Sequence, residues 1–292
     1  MGAVVTSGAS TFREQLNAAT TTLEAAGVST ARVDAEWLLA GLLDVGRARV
    51  RMDLSRLLAA PLAERYADAV RRRARREPLQ RILGWEEFRG LRIRLSEAVL
   101  VPRPETETLV EWALALLPPA GARRRLALDL GTGSGCIACA LAAERTDLDV
   151  IATDVSPAAL TVARDNARAL GLARRVRVVA ADLLAGVGDL GADLIVSNPP
   201  YLPTGLVAGL EPEVRSHEPR IALDGGADGL ALIRRLAEVA RACLRPEGVL
   251  VVETAGGAQA AAAADLIQGA GFQSVAVRAD LAGVDRFVAG SA

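Results

Sequence analysis

The chain has 292 residues, a length that suggests about two domains, and it is 51% hydrophobic and 24% charged, the balance of a globular protein with ample core. Its net charge of −1 gives no global pull toward nucleic acid or membrane, and no run of 18 apolar residues is present to span a bilayer. All 34 basic residues are Arg, which excludes lysine-based catalysis and, with the heavy use of Ala and Gly, reads as genome composition.

Residues 1–10 read as a loose tail. Met1 to Thr6 fits a myristoylation pattern by letter, but six residues are too short a match to carry weight. No apolar segment precedes Arg13, the first basic residue, so a signal peptide is not expected; with only three cysteines this points to the cytoplasm. Thr11 and Glu14 form a capping-box pattern that opens a helix ending near Gly27. A second helix is predicted from Thr30, with Val33, Trp37 and Ala40 on one face. A third opens at Pro61, with Leu62, Tyr66, Ala69 and Val70 as its stripe. It runs into Arg71-Arg72-Arg73-Ala74-Arg75-Arg76, which reads first as a solvated helix end favoured by the macrodipole and second as a patch for RNA or an anionic partner.

Between Trp85 and Leu95 the period is two. Leu91, Ile93 and Leu95 share one face, Arg92 and Arg94 the other, and Arg89-Gly90 is the expected hairpin turn. Pro104 suits a first helical position with Glu105 and Glu107 in the first turn; Arg103 and these two carboxylates are also placed to order the neighbouring cofactor loop. From Leu126 strands alternate with helices, the pattern of a parallel α/β sheet. Strands are predicted near 126–130, 149–153, 175–180, 192–197 and 248–253, helices near 134–145, 156–170, 229–244 and 258–270, and a last strand pair near 272–277 and 284–289. The expected division is 1–83 helical, 84–103 a hairpin linker and 104–292 the α/β domain. Cys136 and Cys139 make a CxxC, but they lie one helical turn apart in an apolar stretch with no second pair, so they read as buried small residues.

Asp129-Leu130-Gly131-Thr132-Gly133-Ser134-Gly135 directly follows the first of these strands and opens a helix. Its glycines permit a tight turn and close approach of backbone to a ligand. The spacing departs from the dinucleotide GxGxxG, and there is no Walker lysine. Asp154 ends the next strand about 23 residues after Gly131, where a carboxylate holds both ribose hydroxyls. Asp182 and Leu183, after the third, are placed to bond and cover an adenine. Ser156-Pro157 reads as a helix cap. Ligands of open α/β sheets bind at such strand ends, and a nucleoside with a small non-phosphate extension fits: S-adenosylmethionine.

The fourth strand, Asp193 to Ser197, runs straight into Asn198-Pro199-Pro200-Tyr201. Each proline fixes its own φ and extends the residue before it, so the strand end is a stiff finger. Asn-Pro is also an ordinary turn starter. As a site, the Asn198 side-chain oxygen and the Pro199 carbonyl accept two N–H bonds from a planar NH2 group while Tyr201 packs on its flat face, beside the methyl of the cofactor. His217, the only histidine, sits in a Ser-His-Glu-Pro turn, so no strong general base is evident.

Together with Pro102-Arg103-Pro104-Glu105-Thr106-Glu107, Glu218-Pro219-Arg220, Asp224-Gly225-Gly226 and Asp228-Gly229-Leu230, these motifs resemble the peptide chain release factor glutamine methyltransferases over roughly residues 75–292. The resemblance implies a Rossmann-like seven-stranded class I methyltransferase domain behind a small helical domain that helps recognise a release factor. The implied acceptor is the N5 amide nitrogen of the glutamine in the Gly-Gly-Gln loop of class I release factors. Two positions depart from the family pattern: Arg81 stands where an aromatic is common, and Glu253-Thr254-Ala255 where Glu-Ile-Gly is frequent. Both are expected to lie outside the cofactor and Asn-Pro-Pro-Tyr sites. Asn-Pro-Pro-Tyr is shared with adenine methyltransferases, so an exocyclic-amine methyltransferase of nucleic acid is one rival. A net charge of −1 and a single Arg run argue against it, and no stable nucleic-acid binding is expected. A non-enzymatic module that binds the cofactor, or a structural partner of the translation machinery, is the other rival, and it has no need of an intact Asn198 to Tyr201.

Overall fold

The computed structural model describes residues 10–186 and 188–292, so the myristoylation pattern and most of the predicted tail lie outside it. The chain forms two compact units: the described residues through Gly84 together with Glu211–His217, and Trp85–Leu210 together with Glu218–Ala292.

The first unit is helical: α1 (Phe12–Ala25), α2 (Ala31–Leu43), α3 (Arg47–Met52), α4 (Ala60–Ala74) and α5 (Leu79–Leu83). The capping box is in place, with Glu14 N–H donating to Thr11 Oγ1 at 3.3 Å and Thr11 N–H to Glu14 Oε2 at 2.8 Å. Leu16, Leu23, Leu38, Leu39, Val50 and Tyr66 build the core, and the Tyr66 hydroxyl donates to the Ala35 carbonyl at 3.0 Å. On α2 the packed face is centred on Ala35 and Leu39, and Val33, expected on that face, is 40% exposed. Because α2 packs against both α1 and α4, its buried stripe is wide and takes in Asp34 and Glu36 as well. The short helices α3 and α5 lie below the length at which apolar periodicity is legible.

The Arg run is the larger correction. Arg73 is buried, not solvated. It donates to Asp34 Oδ2 at 2.7 Å, to the Glu77 carbonyl at 3.2 Å and to Glu213 Oε1 at 3.0 Å. Arg76 grips both oxygens of Glu213, and Arg72 pairs with Glu77. Three of these guanidiniums are therefore committed inside the unit, and two of them, Arg73 and Arg76, hold the Glu211–His217 segment. His217 lies in that segment against the Arg75 carbonyl, as a structural turn.

The second unit opens with β1 (Trp85–Phe88) and β2 (Leu91–Arg94), an antiparallel pair turned at Arg89-Gly90 with both residues at positive φ. After α6 (Pro104–Leu116) come β3 (Arg125–Leu130), α7 (Cys136–Glu144), β4 (Leu148–Asp154), α8 (Pro157–Ala169), β5 (Val176–Ala180), β6 (Ala192–Ser197) and the single turn α9 (Thr204–Val207). The turn α10 (Pro212–Arg215) belongs to the first unit; α11 (Ala231–Cys243), β7 (Leu244–Glu253), α12 (Ala258–Gly269), β8 (Gln273–Ala279) and β9 (Asp285–Ser291) complete the second.

The sheet order is β5-β4-β3-β6-β7-β9-β8, parallel through β7 and antiparallel at β9 and β8. Alternation along the strands feeds two cores. Leu194, Val196 and Val251 pack under α6 and α7, whereas Leu128, Ile195 and Leu250 pack under α11 and α12. This is the expected Rossmann-like seven-stranded architecture. Strand β7 begins four residues before its predicted start; its register against β6 shifts between Ala192 and Leu194, and Glu247 takes φ 64°, a bulge that masked the period. Asp193, buried at the start of β6, accepts from the Leu126 N–H at 3.0 Å and pairs with Arg245 at 2.5 Å, so the most buried strand begins anchored.

Candidate functional site

Strand order places the predicted ligand residues along one edge. β5, β4, β3 and β6 are neighbours, and their carboxyl ends carry Asp182, Asp154, Gly131 to Gly135 and Asn198 in that sequence. The chain leaves β3 toward β4 on one side while β6 lies on the other, so Gly131 and Asn198 flank a topological switch point. There a cleft of about 590 Å³ opens, lined in part by Gly131, Thr132, Gly133, Ser134, Asp154 and Asn198, with Asp182, Leu183 and Pro200 also on its wall. Asp129, Gly135, Pro199 and Tyr201 fall outside that lining.

Gly131 and Gly133 have φ of 72° and 54°, the left-handed region where a side chain is strained, and a Cβ on either would meet no protein atom within 4 Å. The turn is held from below. Gly131 and Thr132 N–H both donate to the Thr153 carbonyl at 2.9 Å, and Gly133 N–H donates to Asp154 Oδ2 at 2.9 Å. Asp129 braces the turn and does not face the cleft: its Oδ2 accepts from Thr132 Oγ1 at 2.6 Å and from the Ala138 N–H at 3.1 Å. Burial pushes its carboxyl up to about 7, against the Thr132 and Ala138 bonds. Asp154 is also tied to the Ser156 N–H at 2.9 Å. Asp182 pairs with Arg235 at 2.8 Å, both half-exposed on the cleft wall.

These residues fit a nucleoside with an aliphatic extension. Two carboxylates stand at the β4 and β5 ends, Leu183 offers an apolar floor, and the glycine turn leaves room for backbone contact. Ser134 Oγ is buried on the cleft wall, where its one polar neighbour among the described residues is the Cys136 thiol, so its hydroxyl is available to a polar ligand group. Cys136 and Cys139 are buried on α7, where burial pushes both thiols up to about 12.

At the β6 end, Asn198 Nδ2 donates to Thr106 Oγ1 at 3.0 Å, and Thr106 Oγ1 donates to Glu253 Oε2 at 2.8 Å. The Tyr201 hydroxyl donates to Glu253 Oε1 at 3.4 Å, and burial holds that phenol above its ordinary range. Glu253 was expected outside the Asn-Pro-Pro-Tyr site; it is two hydrogen bonds from Asn198. The signal was present, since Glu253 ends a parallel strand on the ligand side, but Thr106 lies 147 positions away in sequence. Arg103 pairs with Glu218 at 2.6 Å, and Glu107 accepts from the Arg89 N–H at 2.8 Å, so these two groups order the Glu-Pro-Arg segment and the hairpin turn rather than the expected cofactor loop.

The finger beyond Asn198 is held by the Asp-Gly-Gly segment. Leu202 N–H donates to the Leu223 carbonyl at 3.0 Å, Gly225 N–H to the Leu202 carbonyl at 2.8 Å, and Gln259 Nε2 to the Tyr201 carbonyl at 2.8 Å. A Cβ on Gly225 would stand 2.5 Å from the Pro200 carbonyl oxygen and 2.7 Å from that of Gly229, both backbone atoms that cannot swing aside. Gly225→Ala is therefore expected to shift the finger, costing about 1–3 kcal/mol of stability and about 10²-fold in turnover through misplacement of Asn198. Thermal melts and initial rates on the purified variant check both.

A family model described as PrmC N-terminal domain matches residues 14–84, and one described as Methyltransferase small domain matches residues 111–207. The release factor glutamine methyltransferase of Cereibacter sphaeroides is 46% identical over 94% of this chain and 96% of its own length; that of Moorella thermoacetica is 44% identical with the same coverage. The Mycolicibacterium smegmatis relative is 42% identical over 95% and 96%. Among solved structures, the catalytic domain of hMettl16 in complex with MAT2A 3′UTR hairpin 6 superposes with a TM-score of 0.57 at 19% identity, over 81% of this chain and 84% of that one. A methyltransferase from Pyrococcus furiosus gives 0.51 at 20%, over 70% and 89%; both likenesses concern the fold. With identity above 40% over nearly its whole length, the chain belongs to the release factor glutamine methyltransferase family.

Proposed function

We propose that the protein transfers a methyl group from S-adenosylmethionine to the side-chain amide nitrogen of the glutamine in the Gly-Gly-Gln loop of class I peptide chain release factors. The observation that carries this reading is the position of Asn198: on the cleft wall beside the glycine turn, with its Nδ2 already bonded to Thr106 and its Oδ1 left for a ligand. When bound, S-adenosylmethionine supplies an electrophilic methyl on a positively charged sulfur. Asp154 holds the ribose hydroxyls, Asp182 and Leu183 the adenine, and Gly131 to Gly135 the aliphatic end.

An amide nitrogen is a poor nucleophile because its lone pair is delocalised into the carbonyl. Asn198 Oδ1 and the Pro199 carbonyl accept its two N–H groups, which aims the lone pair and favours the pyramidal nitrogen of the transition state. Tyr201, its hydroxyl held by Glu253, keeps its ring on the side of the planar amide. A neutral acceptor suits a site that must also hold a sulfonium charge. The proton leaves after transfer, when the nitrogen has become acidic.

The N-terminal helical domain, residues 1–83 by the sequence division, serves to recognise the release factor. A release factor as substrate places the work of the enzyme in the cytoplasm. Among the described residues no helix is long and apolar enough to cross a membrane. The test is transfer of labelled methyl to a release factor in wild-type and Gln→Ala loop forms, beside unmethylated duplex DNA and ribosomal RNA. Label in the wild-type release factor alone is expected. Label in nucleic acid would assign the enzyme to exocyclic amines instead.

A further inference from the structure

Glu253 ends β7 at 1% exposure, and the two side chains that donate to it both lead back to the Asn-Pro-Pro-Tyr finger: Thr106 from α6 and Tyr201 from the finger itself. Thr106 has one hydroxyl hydrogen. Spent on Glu253, it leaves only lone pairs on Oγ1, so the Asn198 group 3.0 Å away has to be the NH2 and not the carbonyl. The carboxamide is thereby fixed one way round, with Oδ1 free on a residue that lines the cleft. Turned over, Asn198 would present a donor to a substrate NH2, and the grip on the acceptor nitrogen would be lost.

We propose that Glu253, acting through Thr106, is a positioning residue that sets the direction of the Asn198 carboxamide for catalysis. The inference rests on the amide-methylation reading and adds to it two residues outside the finger. It requires Glu253 to act as an acceptor on both oxygens. The groups around it are Glu105 and Thr106 on α6, Arg286 on β9, Tyr201 on the finger and Cys136 on α7. Burial pushes the carboxyl up to about 7, with the Thr106 bond and the Arg286 charge opposing. Below that pH, with the proton on Oε2, the group becomes a donor to Thr106 Oγ1, the Thr106 hydrogen is released, and turnover falls. Above it the acceptor form orders Asn198.

The experiment measures kcat and KM for release-factor methylation, with cofactor Kd, in wild type, Thr106→Ser, Thr106→Val, Glu253→Gln and the Thr106→Val/Glu253→Gln double variant. Thr106→Ser keeps the hydroxyl and is expected within about 3-fold of wild type. Thr106→Val and Glu253→Gln are expected to lose kcat by about 10- to 100-fold with cofactor Kd unchanged, and the double variant to fall no further, since one pathway is cut twice. Glu253→Gln should also flatten the rise of kcat with pH through about 7. Equal kcat in Thr106→Val and Thr106→Ser, or multiplicative losses in the double variant, would overturn the proposal.

A second readout needs no acceptor. The chain has three asparagines, Asn17, Asn166 and Asn198, so ¹⁵N-asparagine labelling resolves the Asn198 NH2 pair by NMR. That pair is expected to shift in Thr106→Val and Glu253→Gln and to stay in place in Thr106→Ser. Should nucleic acid be labelled and not the release factor, while the NH2 pair responds as expected, the network stands and the substrate assignment falls. Label in the release factor with an unmoved NH2 pair removes the network alone.

Discussion

Asn198→Ala is expected to lower kcat for release-factor glutamine methylation by about 10²–10³-fold, the cost of removing one preorganised hydrogen-bonding group from a transition state. Cofactor affinity is expected to stay within about 3-fold, because in the proposed mechanism Asp154, Asp182 and the glycine turn hold the cofactor and Asn198 faces only its methyl end. Asn198→Asp distinguishes the acceptor's geometry from its charge. The carboxylate still offers an oxygen to the substrate, but its second oxygen must face Thr106 Oγ1, whose hydrogen is committed to Glu253. Two sets of lone pairs then meet beside a buried carboxyl, so Asp is expected to fail as badly as Ala. Single-turnover rates with saturating cofactor, beside equilibrium cofactor binding, make the measurement. Full transfer by Asn198→Ala would end the two-acceptor mechanism, and a parallel collapse of cofactor affinity would make Asn198 a cofactor residue above all.

What sequence reasoning reached and missed has a physical pattern. The strands from Leu126 onward, the Gly131 to Gly135 turn and the Asn198 finger are written in local terms: a buried apolar run, glycines at positive φ, prolines that stiffen a strand end. Each was legible without a partner. Glu253 was not, because its meaning depends on Thr106 and Tyr201 approaching it from other elements of the fold. Val33 went wrong for a related reason: α2 is packed on two sides, so a single-stripe pattern chose the wrong centre. The bulged start of β7 hid because Arg245-Pro246-Glu247-Gly248 has the composition of a turn and is recruited into the sheet only by pairing with β6. Asp129 was legible as a conspicuous carboxylate beside the glycines, but not as a brace beneath them.

Arg73 is the second large effect, and it too depends on partners remote in sequence. Its side chain lies between Asp34, 4% exposed, and Glu213, and it also donates to the Glu77 carbonyl. Arg73→Ala removes the cation and leaves Asp34 buried and unpaired, which is expected to cost about 3–5 kcal/mol, far above the value of a surface pair. Arg73→Lys is expected to recover only part of this, because an ammonium cannot reproduce the planar fork that reaches three acceptors. Arg73→Met with Asp34→Leu should be milder than Arg73→Ala, since the stranded charge goes as well. Glu213 supplies the pH signature. Burial works against its charged form, but the Arg76 and Arg73 guanidiniums outweigh it and hold the carboxyl down to about 2. The stability it contributes is present above its unfolded value of 4.5 and is lost as pH falls toward 2. Urea midpoints read at pH 7 and across that acid window, in wild type, Arg73→Ala and Glu213→Gln, make the check: the first variant should fall at pH 7 and the second should flatten the acid limb. An unfolding free energy for Arg73→Ala, taken from its midpoint and slope, within about 0.5 kcal/mol of wild type would return the Arg run to the solvated helix end that its composition first suggested.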